Sequence, residues 1–419
     1  MIKIVKILLF IAFISSFESI LAQEKIIIGY LPNYRFKVSR NIDFCKLTHL
    51  NICFANPDKK GNFSLTDTLQ NVVDYVKLKN PDLKVFISIA GGALQKEQAQ
   101  TWKKYIDNSK KRPEIIAKII EFIDLYKFDG VDIDLEWRNV TKGYSPFILE
   151  LRKALPKDMM LTAALPGTHR YSNITDEAIH TFDLINLMAY DEKGSWAPNQ
   201  PGQHSSFEFA QKSIHFWKDS VGIPAHKLTL GLPFYAYDFT NPKKTKSFTI
   251  AEILRQNALN ALIDSVGLIY YNGKPTLEKK VKLAATDLEL AGVMIWELGQ
   301  DTTGDISMLN TVHSQFKELK IKTTNEFCGL TEEEILVIKN EDFKKAIKVY
   351  ANKKRFVIEA KNIAKLEVKV LNSKNKIQKI KIFKEPKKYS YKIKKLKKGT
   401  YTIQISEDEL SLLKKLKLK

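Results

Sequence analysis

The stretch FDGVDIDLEW, residues 128–137, alternates three carboxylates with three aliphatic side chains. Successive side chains of an extended strand point to opposite faces, so the acids share one face and the aliphatic residues share the other. The residues concerned are Asp132, Asp134 and Glu136 on one face and Val131, Ile133 and Leu135 on the other. Such a strand suits a parallel barrel, whose outer face packs on helices and whose active site lies at the C-terminal strand ends. Glu136 lies nearest that end.

Seven more runs with the character of β-strands lie in the first three quarters of the chain, and helical patterns lie between them. The eight runs span residues 25–31, 47–55, 84–90, 128–136, 159–165, 182–190, 227–235 and 292–298. Between them, as in 68–78 and 113–127, apolar residues recur three and four positions apart, which predicts amphipathic helices. Strands that alternate with helices form parallel sheets through right-handed crossovers. Eight such units predict an α/β fold of the (β/α)8, or TIM-barrel, type over residues 23–325; a doubly wound sheet is the alternative.

The pattern changes after residue 325. Short alternating runs between residues 355 and 406 predict a small, sandwich-like all-β domain over residues 346–419, joined by a linker at 326–345. Residues 341–419 hold 24 Lys and one Arg against eight acids, which is +17 of the overall +20. This segment lacks clustered Arg and aromatic platforms, so we expect an accessory or sorting domain and no nucleic-acid partner.

The N-terminus carries the features of a secretory signal peptide. Lys3 and Lys6 precede an apolar run from Ile7 to Phe13, and small residues lead to Ala22. We expect cleavage after Ala22 and a secreted, periplasmic or cell-surface protein, with no transmembrane segment in the mature chain. An uncleaved N-terminal anchor is the alternative.

Three cysteines are too few for a disulfide scaffold in a chain of this size. We expect Cys45, Cys53 and Cys328 to be buried small hydrophobic residues, with a Cys45–Cys53 bridge as the alternative. No spacing indicates zinc. A calcium loop would need polar residues between the acids and a glycine turn, so no metal and no cofactor are expected.

The three acids should influence one another's protonation. Carboxylates so close together inside a barrel repel, so we expect at least one proton to be shared between them and the pKa of Glu136 to be raised. A carboxyl group that stays protonated near neutral pH can serve as a general acid.

Several motifs occur in the order typical of one enzyme family. DGVDIDLE resembles the DGxDxDxE signature of glycoside hydrolase family 18, the chitinases and their relatives. The resemblance covers about residues 25–320. The other motifs similar to those of the family are GYLPNY (29–34), CFA (53–55), SIAGG (88–92), MAYD (188–191), GLPFY (231–235) and VMIWE (293–297).

The resemblance implies a substrate-assisted mechanism. Glu136 would protonate the leaving oxygen and later activate water, while the 2-acetamido oxygen of the sugar attacks its own anomeric carbon. Asp134 would orient the acetamido group and stabilise the oxazolinium ion. Asp132 would share a proton with Asp134 and support it. Tyr190 would donate to the acetamido carbonyl.

The same resemblance implies a set of substrate-binding residues. Trp296 would form the floor under the sugar at the cleavage site, and Asp191 would contact that sugar. Trp137 could stack on a sugar or simply pack. The other expected members are Tyr30, Phe54, Gly91, Gly92, Ala163, Met188 and Tyr235.

Three departures from the family pattern bear on substrate choice. Leu135-Glu136-Trp137 stands where many chitinases have Trp-Glu-Tyr, and Tyr237 stands where many relatives have Arg. Residues 238–291 hold two helical patterns, at 249–265 and 276–290, which leave little room for the α+β insertion of many relatives. We therefore expect a shallow, open cleft.

The resemblance implies an exported hydrolase that cleaves β-1,4 bonds next to N-acetylglucosamine in chitin or chitooligosaccharides. An endo-β-N-acetylglucosaminidase acting on N-glycan cores would use the same residues, and a non-catalytic chitin-binding lectin is a further alternative. The C-terminal segment weakly resembles sorting domains of type IX secretion, which would make the secretion machinery a partner.

Overall fold

The structure is a computed structural model, in two units that divide after Cys328. The predicted signal peptide, residues 1–22, and most of the predicted linker lie outside the described residues. The structure describes residues 24–323, 328, 340–341, 343–352, 355–360, 365–384, 388–392, 399–407 and 410–418.

The first unit contains a closed barrel of eight parallel strands. The barrel strands are β1 (Ile26–Pro32), β2 (His49–Pro57), β4 (Lys84–Ala90), β5 (Gly130–Asp134), β6 (Met160–Pro166), β7 (Leu184–Met188), β8 (Leu228–Pro233) and β13 (Gly292–Trp296). They pair in the order β1-β13-β8-β7-β6-β5-β4-β2, and β2 pairs with β1 to close the ring. A doubly wound sheet would have two free edges. The predicted TIM barrel is therefore confirmed, and the short β3 (Phe63–Ser64) pairs antiparallel with the end of β2.

Helices cover the outside of the barrel and bury the aliphatic face of the acid strand. Val131, Ile133 and Leu135 have no exposed surface and belong to the main hydrophobic core. Burying a side chain of this kind contributes about 1.5–3 kcal/mol, so the aliphatic alternation holds β5 in register. The helices are α1 (Leu69–Lys79), α2 (Lys96–Ile106), α3 (Arg112–Tyr126), α4 (Tyr144–Ala154), α5 (Asp176–Thr181), α6 (Phe207–His215), α7 (Ile250–Gln256), α8 (Lys274–Lys282) and α9 (Met308–Glu318).

Helix α3 delivers the chain into the acid strand. Pro113 lies in its first turn, where a missing N–H costs nothing, and Ile115, Ile119 and Ile123 form its buried stripe. The helix ends where Lys127 adopts a left-handed conformation, with φ of 55°. The chain reverses there and enters β5 three residues later.

The connection between the last two barrel strands includes a small antiparallel sheet that the sequence patterns did not predict. Its strands are β9 (Tyr235–Asp238), β10 (Lys246–Thr249), β11 (Ser265–Val266) and β12 (Ile269–Tyr270), in the order β10-β9-β12-β11. The predicted pattern at 249–265 contains α7, and the pattern at 276–290 overlaps α8, which begins two residues earlier. The prediction of helices alone was incomplete because strands of two to four residues are too short to show a period of two.

The second unit is mainly β, as predicted, with helical residues at 340–341 and 343–346 before the first strand. Its strands are β14 (Ile347–Asn352), β15 (Arg355–Ala360), β16 (Lys365–Leu371), β17 (Ile377–Lys384), β18 (Lys388–Lys392), β19 (Gly399–Glu407) and β20 (Leu410–Leu418). They form a three-stranded sheet, β14-β15-β18, and a four-stranded sheet, β17-β16-β19-β20. Residues of both sheets, among them Ile358 and Ile403, share one hydrophobic core. The first and last strands lie outside the predicted run of residues 355–406.

The cysteine prediction was wrong in part. Cys45 and Cys328 form a disulfide across a separation of 283 residues, and Cys53 is the buried, unpaired one. Cys45 lies in a short 3-10 turn, Phe44–Lys46, and the bond ties the end of the first unit back to that turn. Cysteine spacing in a sequence does not reveal such long-range pairing.

Among the residues described, no helix is both long enough and apolar enough to cross a lipid bilayer.

Candidate active site

The acid strand β5 places its three carboxylates at increasing height inside the barrel. Asp132 has no exposed surface, Asp134 is 4% exposed, and Glu136 is half-buried beyond the end of the strand. The backbone of Glu136 is still extended, with φ of −123° and ψ of 156°. All three side chains therefore keep the alternation of the strand, and Glu136 lies at the C-terminal end of the barrel.

Asp132 is surrounded by hydrogen-bond donors. Its Oδ2 accepts from Tyr30 Oη and Ser88 Oγ, both at 2.7 Å. Its Oδ1 accepts from Thr162 Oγ1 at 2.6 Å and from Asn186 Nδ2 at 3.2 Å. Burial raises the pKa of Asp132, and the four donors oppose that rise. The Asp132 carboxylate is thus the fixed polar centre of the barrel interior.

Asp134 lies in a different environment two residues further on. Its buried Oδ1 has no hydrogen-bond partner among the described residues. Burial raises the pKa of Asp134 well above its ordinary value, and the charges of Glu136 and Asp132 add to the rise. Both oxygens of Asp132 already accept from other side chains, so a proton shared by the two aspartates stays a prediction. Asp134 therefore has one buried oxygen atom that is available to a ligand.

Glu136 has the protonation behaviour of a general acid. Burial, followed by the charge of Asp191, raises the pKa of Glu136 to about 7. A carboxyl group with such a pKa is substantially protonated at neutral pH and can release its proton to a substrate.

The two glycines after β4 leave space for the site. A Cβ atom on Gly92 would lie 2.4 Å from Glu136 Oε1, and one on Gly91 would lie 2.6 Å from the ring of Phe54. Gly91 also has a φ of +85°, and its N–H donates to the Asp134 carbonyl at 2.9 Å. These contacts indicate that Gly91 and Gly92 make room for Phe54 and Glu136.

Three aromatic rings form a platform at the ends of β1, β2 and β13. Trp296 stacks on Phe54, with ring centres 5.7 Å apart and planes 23° apart. The ring of Tyr30 meets Trp296 edge-on at 5.6 Å. Because the Tyr30 hydroxyl donates to Asp132, the platform is tied directly to the acid strand.

A cluster of tyrosines surrounds Asp191. Tyr235 Oη donates to Asp191 Oδ1, and the Tyr237 hydroxyl also bonds to the Asp191 carboxylate. Tyr190 packs edge-on against Tyr235, with ring centres 6.1 Å apart. Burial raises the pKa of Tyr190 well above its ordinary value, so its hydroxyl is a permanent donor.

Glu136 lines an open cleft of about 600 Å³. Two tryptophans on its rim, Trp137 and Trp196, are each 61% exposed. This exposure favours stacking over packing as the role of Trp137. Trp196 was not predicted, although a lone Trp in the polar loop that follows MAYD was a usable signal. The cleft also includes Met188, Tyr190 and Asp191.

The prediction for Ala163 was wrong. Thr162, the preceding residue on β6, points inward to Asp132, so Ala163 points outward. Ala163 belongs to the core between strands and helices, together with Leu161 and Leu165. The inward position beyond Thr162 is that of Ala164, which is also buried.

A closed barrel with three carboxylates on one strand, below a cleft lined by aromatic rings, belongs to the class of enzymes that hydrolyse glycosides. Residues 26–301 match the family described as Glycosyl hydrolases family 18, and the chain belongs to that family. The predicted resemblance and the prediction of a chitinase-type glycoside hydrolase are confirmed.

Solved structures agree with this assignment. The family 18 chitinase ChiB from Flavobacterium johnsoniae is 46% identical to this chain. The match has a TM-score of 0.71 and covers 74% of this chain and 99% of ChiB. A chitinase from Bacteroides thetaiotaomicron is 30% identical, with a TM-score of 0.63, over 71% of this chain and 98% of that structure.

Matches to curated relatives are more distant. Probable chitinase 10 of Drosophila melanogaster is 24% identical over an alignment 330 positions long, which covers 61% of this chain and only 14% of that protein. The match to the endochitinase of Manduca sexta likewise covers 37% of that relative. The chain thus spans well under two thirds of these two proteins.

Proposed function

We propose that the first unit hydrolyses β-1,4 bonds next to N-acetylglucosamine in chitin and chitooligosaccharides, with retention of configuration and assistance from the substrate. The observation that carries this proposal is the arrangement of Asp134 and Glu136 on one face of one strand. Two carboxylates two residues apart lie on the same side of a bound sugar. Asp134 cannot attack the anomeric carbon from the face opposite Glu136, where a nucleophilic carboxylate would have to lie.

In the first step, Glu136 gives its proton to the glycosidic oxygen as the bond from that oxygen to the anomeric carbon breaks. The acetamido oxygen of the same sugar forms a new bond to that carbon, which gives a cyclic oxazolinium ion. The Asp134 carboxylate accepts a hydrogen bond from the acetamido N–H, and its negative charge stabilises the positive ring. Tyr190 donates to the acetamido oxygen and orients it.

In the second step, Glu136 acts as a base. Its carboxylate takes a proton from water, and the water oxygen bonds to the anomeric carbon as the acetamido oxygen leaves. Glu136 is then protonated again. Two displacements at the same carbon retain its configuration.

The aromatic surfaces support a chitin-type substrate. Trp296, which packs against Phe54 and the buried ring of Tyr30, offers an apolar floor for a sugar ring. The exposed rings of Trp137 and Trp196 in the cleft of Glu136 offer further stacking surfaces for neighbouring sugars. A row of such surfaces suits a linear chain of identical sugars.

Export is part of the proposal. The disulfide between Cys45 and Cys328 fits a protein that matures in an oxidising compartment, since such bonds are rare in the cytosol. We propose a secreted, periplasmic or cell-surface enzyme, with the Lys-rich second unit as the candidate contact for secretion machinery.

Product analysis by mass spectrometry tests the proposed reaction. Mature protein and its Glu136→Gln variant are each incubated with a chitin hexamer and with an N-glycosylated protein. We expect shorter chitooligomers from the wild-type protein only. Release of a glycan that leaves one N-acetylglucosamine on asparagine would instead identify an endo-β-N-acetylglucosaminidase. Binding of the hexamer with no product from either substrate would identify a lectin and overturn the proposed hydrolysis.

A further inference from the structure

Lys280 is a fully buried lysine outside the catalytic residues. It lies on α8 with no exposed surface. Its Nζ donates to Ser205 O and Ser205 Oγ, both at 2.7 Å, and to Asn272 Oδ1 at 2.8 Å. All three of these acceptors are neutral. A buried ammonium group is costly, and three short hydrogen bonds are the compensation that the structure provides.

The acceptors of Lys280 lead to the backbone of the active site. Ser205 Oγ, which accepts from Lys280, donates to the carbonyl of Ala189 at 2.6 Å. Asn272 Nδ2 donates to the carbonyl of Ser205 at 2.8 Å. Ala189 immediately precedes Tyr190 and Asp191, so two hydrogen bonds connect Lys280 to the start of the catalytic loop.

The residue before Ser205 holds the other side of the same loop. The carbonyl of His204 accepts from Glu192 N–H at 2.9 Å. The His204 ring is buried, with Nε2 at 3.2 Å from the Tyr235 carbonyl and Nδ1 at 3.8 Å from Asp191 Oδ1. Residues 204–205 therefore contact the chain both before and after Tyr190 and Asp191.

We propose that Lys280 is a positioning residue that acts through Ser205 to fix the loop of Tyr190 and Asp191, and so keeps the Asp191 carboxylate beside Glu136. The inference rests on the proposed function, in which Glu136 must carry a proton near neutral pH. Asp191 is the charge that helps it to do so. If the loop relaxes, Asp191 moves away and Glu136 loses that support.

Two variants separate this role from a change in the charge of Lys280 itself. Burial lowers the pKa of Lys280 to about 7, while Asp264 and Glu208 oppose that shift. Lys280→Met removes the ammonium group and all three hydrogen bonds. Ser205→Ala leaves Lys280 in place and removes only the hydroxyl that reaches Ala189. Lys279→Met, an exposed neighbour on the same helix, is the matched control.

The test is the pH profile of kcat/KM on a chitin hexamer, with hydrogen exchange of residues 189–205 measured on the same proteins. For Lys280→Met and Ser205→Ala we expect the basic limb to move to lower pH and kcat/KM at pH 7 to fall roughly 10-fold or more. Exchange should rise in residues 189–205 and not elsewhere. Lys280→Arg should recover part of the loss, and Lys279→Met should match the wild type.

The possible outcomes distinguish the positioning role of Lys280 from the proposed hydrolysis. A smaller active fraction through misfolding lowers kcat but leaves the pH profile in place, so a shifted limb supports positioning. If the wild type is active while both variants keep its pH profile and exchange pattern, the positioning role is overturned. If the wild type is inactive on both glycan substrates, the proposed function fails. The local exchange in residues 189–205 then still decides the role of Lys280.

Discussion

The lower and upper parts of the barrel interior differ in how they surround an aspartate carboxyl group. Asp132, in the lower part, accepts hydrogen bonds from four side chains. Asp134, one step higher on the same strand face, has an oxygen atom with no partner among the described residues. The lower part is a complete polar network that holds strands together, while the upper part is left incomplete for a ligand to finish.

This difference assigns stability to one part and chemistry to the other. Residues that complete the network of Asp132 should affect the free energy of unfolding when they are changed. Asp134 and Glu136 should affect turnover, and their removal should not weaken the fold. The following predictions test that division.

Replacement of the general acid should have the largest effect on catalysis. Glu136→Gln should lower kcat by about 10³-fold or more, because the proton donor and later base is lost. The rate on chitin hexamer, measured at substrate saturation, checks this. A loss below tenfold would assign the proton transfer to another group.

The same variant should be more stable than the wild type at alkaline pH. The folded-state pKa of Glu136 is raised to about 7, so its carboxyl group favours the folded state at acid pH and loses that contribution as the pH rises through 7. A Gln side chain does not titrate, so the variant has no such loss of stability at high pH. Denaturant unfolding should give a gain of about 1–3 kcal/mol at pH 8 that disappears near pH 4. If Glu136→Gln and the wild type had the same free energy of unfolding at pH 8 as well as at pH 4, the raised pKa of Glu136 would be contradicted.

The two aspartates should separate into opposite phenotypes. Asp132→Asn turns an amide N–H toward existing donors and should lower the free energy of unfolding by about 1–3 kcal/mol. Asp134→Asn should cost little stability at pH 7 and should lower kcat about 10²-fold, since the developing positive charge loses its carboxylate. Urea unfolding and steady-state rates check both. Destabilisation by Asp134→Asn as large as that by Asp132→Asn would remove the division between the two parts.

A crowding substitution tests the upper part without removing a chemical group. Gly92→Ala would place a Cβ atom 2.4 Å from Glu136 Oε1 and should push the carboxyl group from its position. We expect kcat to fall roughly 10-fold, in line with the sensitivity of catalysis to misplaced groups. Gly202→Ala is the matched control, since its φ is not positive and a Cβ atom there would lie no closer than 3.6 Å to its nearest neighbour, the Lys193 side chain. Unchanged kcat would mean that Glu136 has room to move.

The smallest effect is expected at the rim of the cleft. Trp196→Ala removes an exposed stacking surface and should raise KM for the hexamer about 3- to 10-fold while kcat changes little, since a lost aromatic contact is worth roughly 1 kcal/mol. The melting temperature should not change. If kcat fell as KM stayed constant, Trp196 would have a role in the chemistry itself.

The fold was predictable because its signals are local. The alternation in β5 and the three-and-four spacing of α3 appear within single segments, and eight such units define the barrel. The acids and Tyr190 were predictable because they lie on or next to strand ends in a recognisable motif.

What was missed depends on distant contacts. Lys280 stands in a run of lysines that looks like a solvated helix face, and only the packed structure shows that it is buried. Cys45 and Cys328 are brought together by closure of the whole barrel. The error at Ala163 was a shift of one residue, which is enough to change the face of a strand.

The proposed chemistry depends most directly on Glu136, whose pKa is raised to about 7 by burial and by the charge of Asp191. The direct test of this pKa is an NMR titration of the wild-type protein with 13C-labelled glutamate carboxyl groups, in which Glu136→Gln assigns the Glu136 signal. We expect a midpoint near 7 in the wild-type protein, and a midpoint closer to ordinary glutamate values in Asp191→Asn. A wild-type midpoint near 4.5 would contradict the raised pKa.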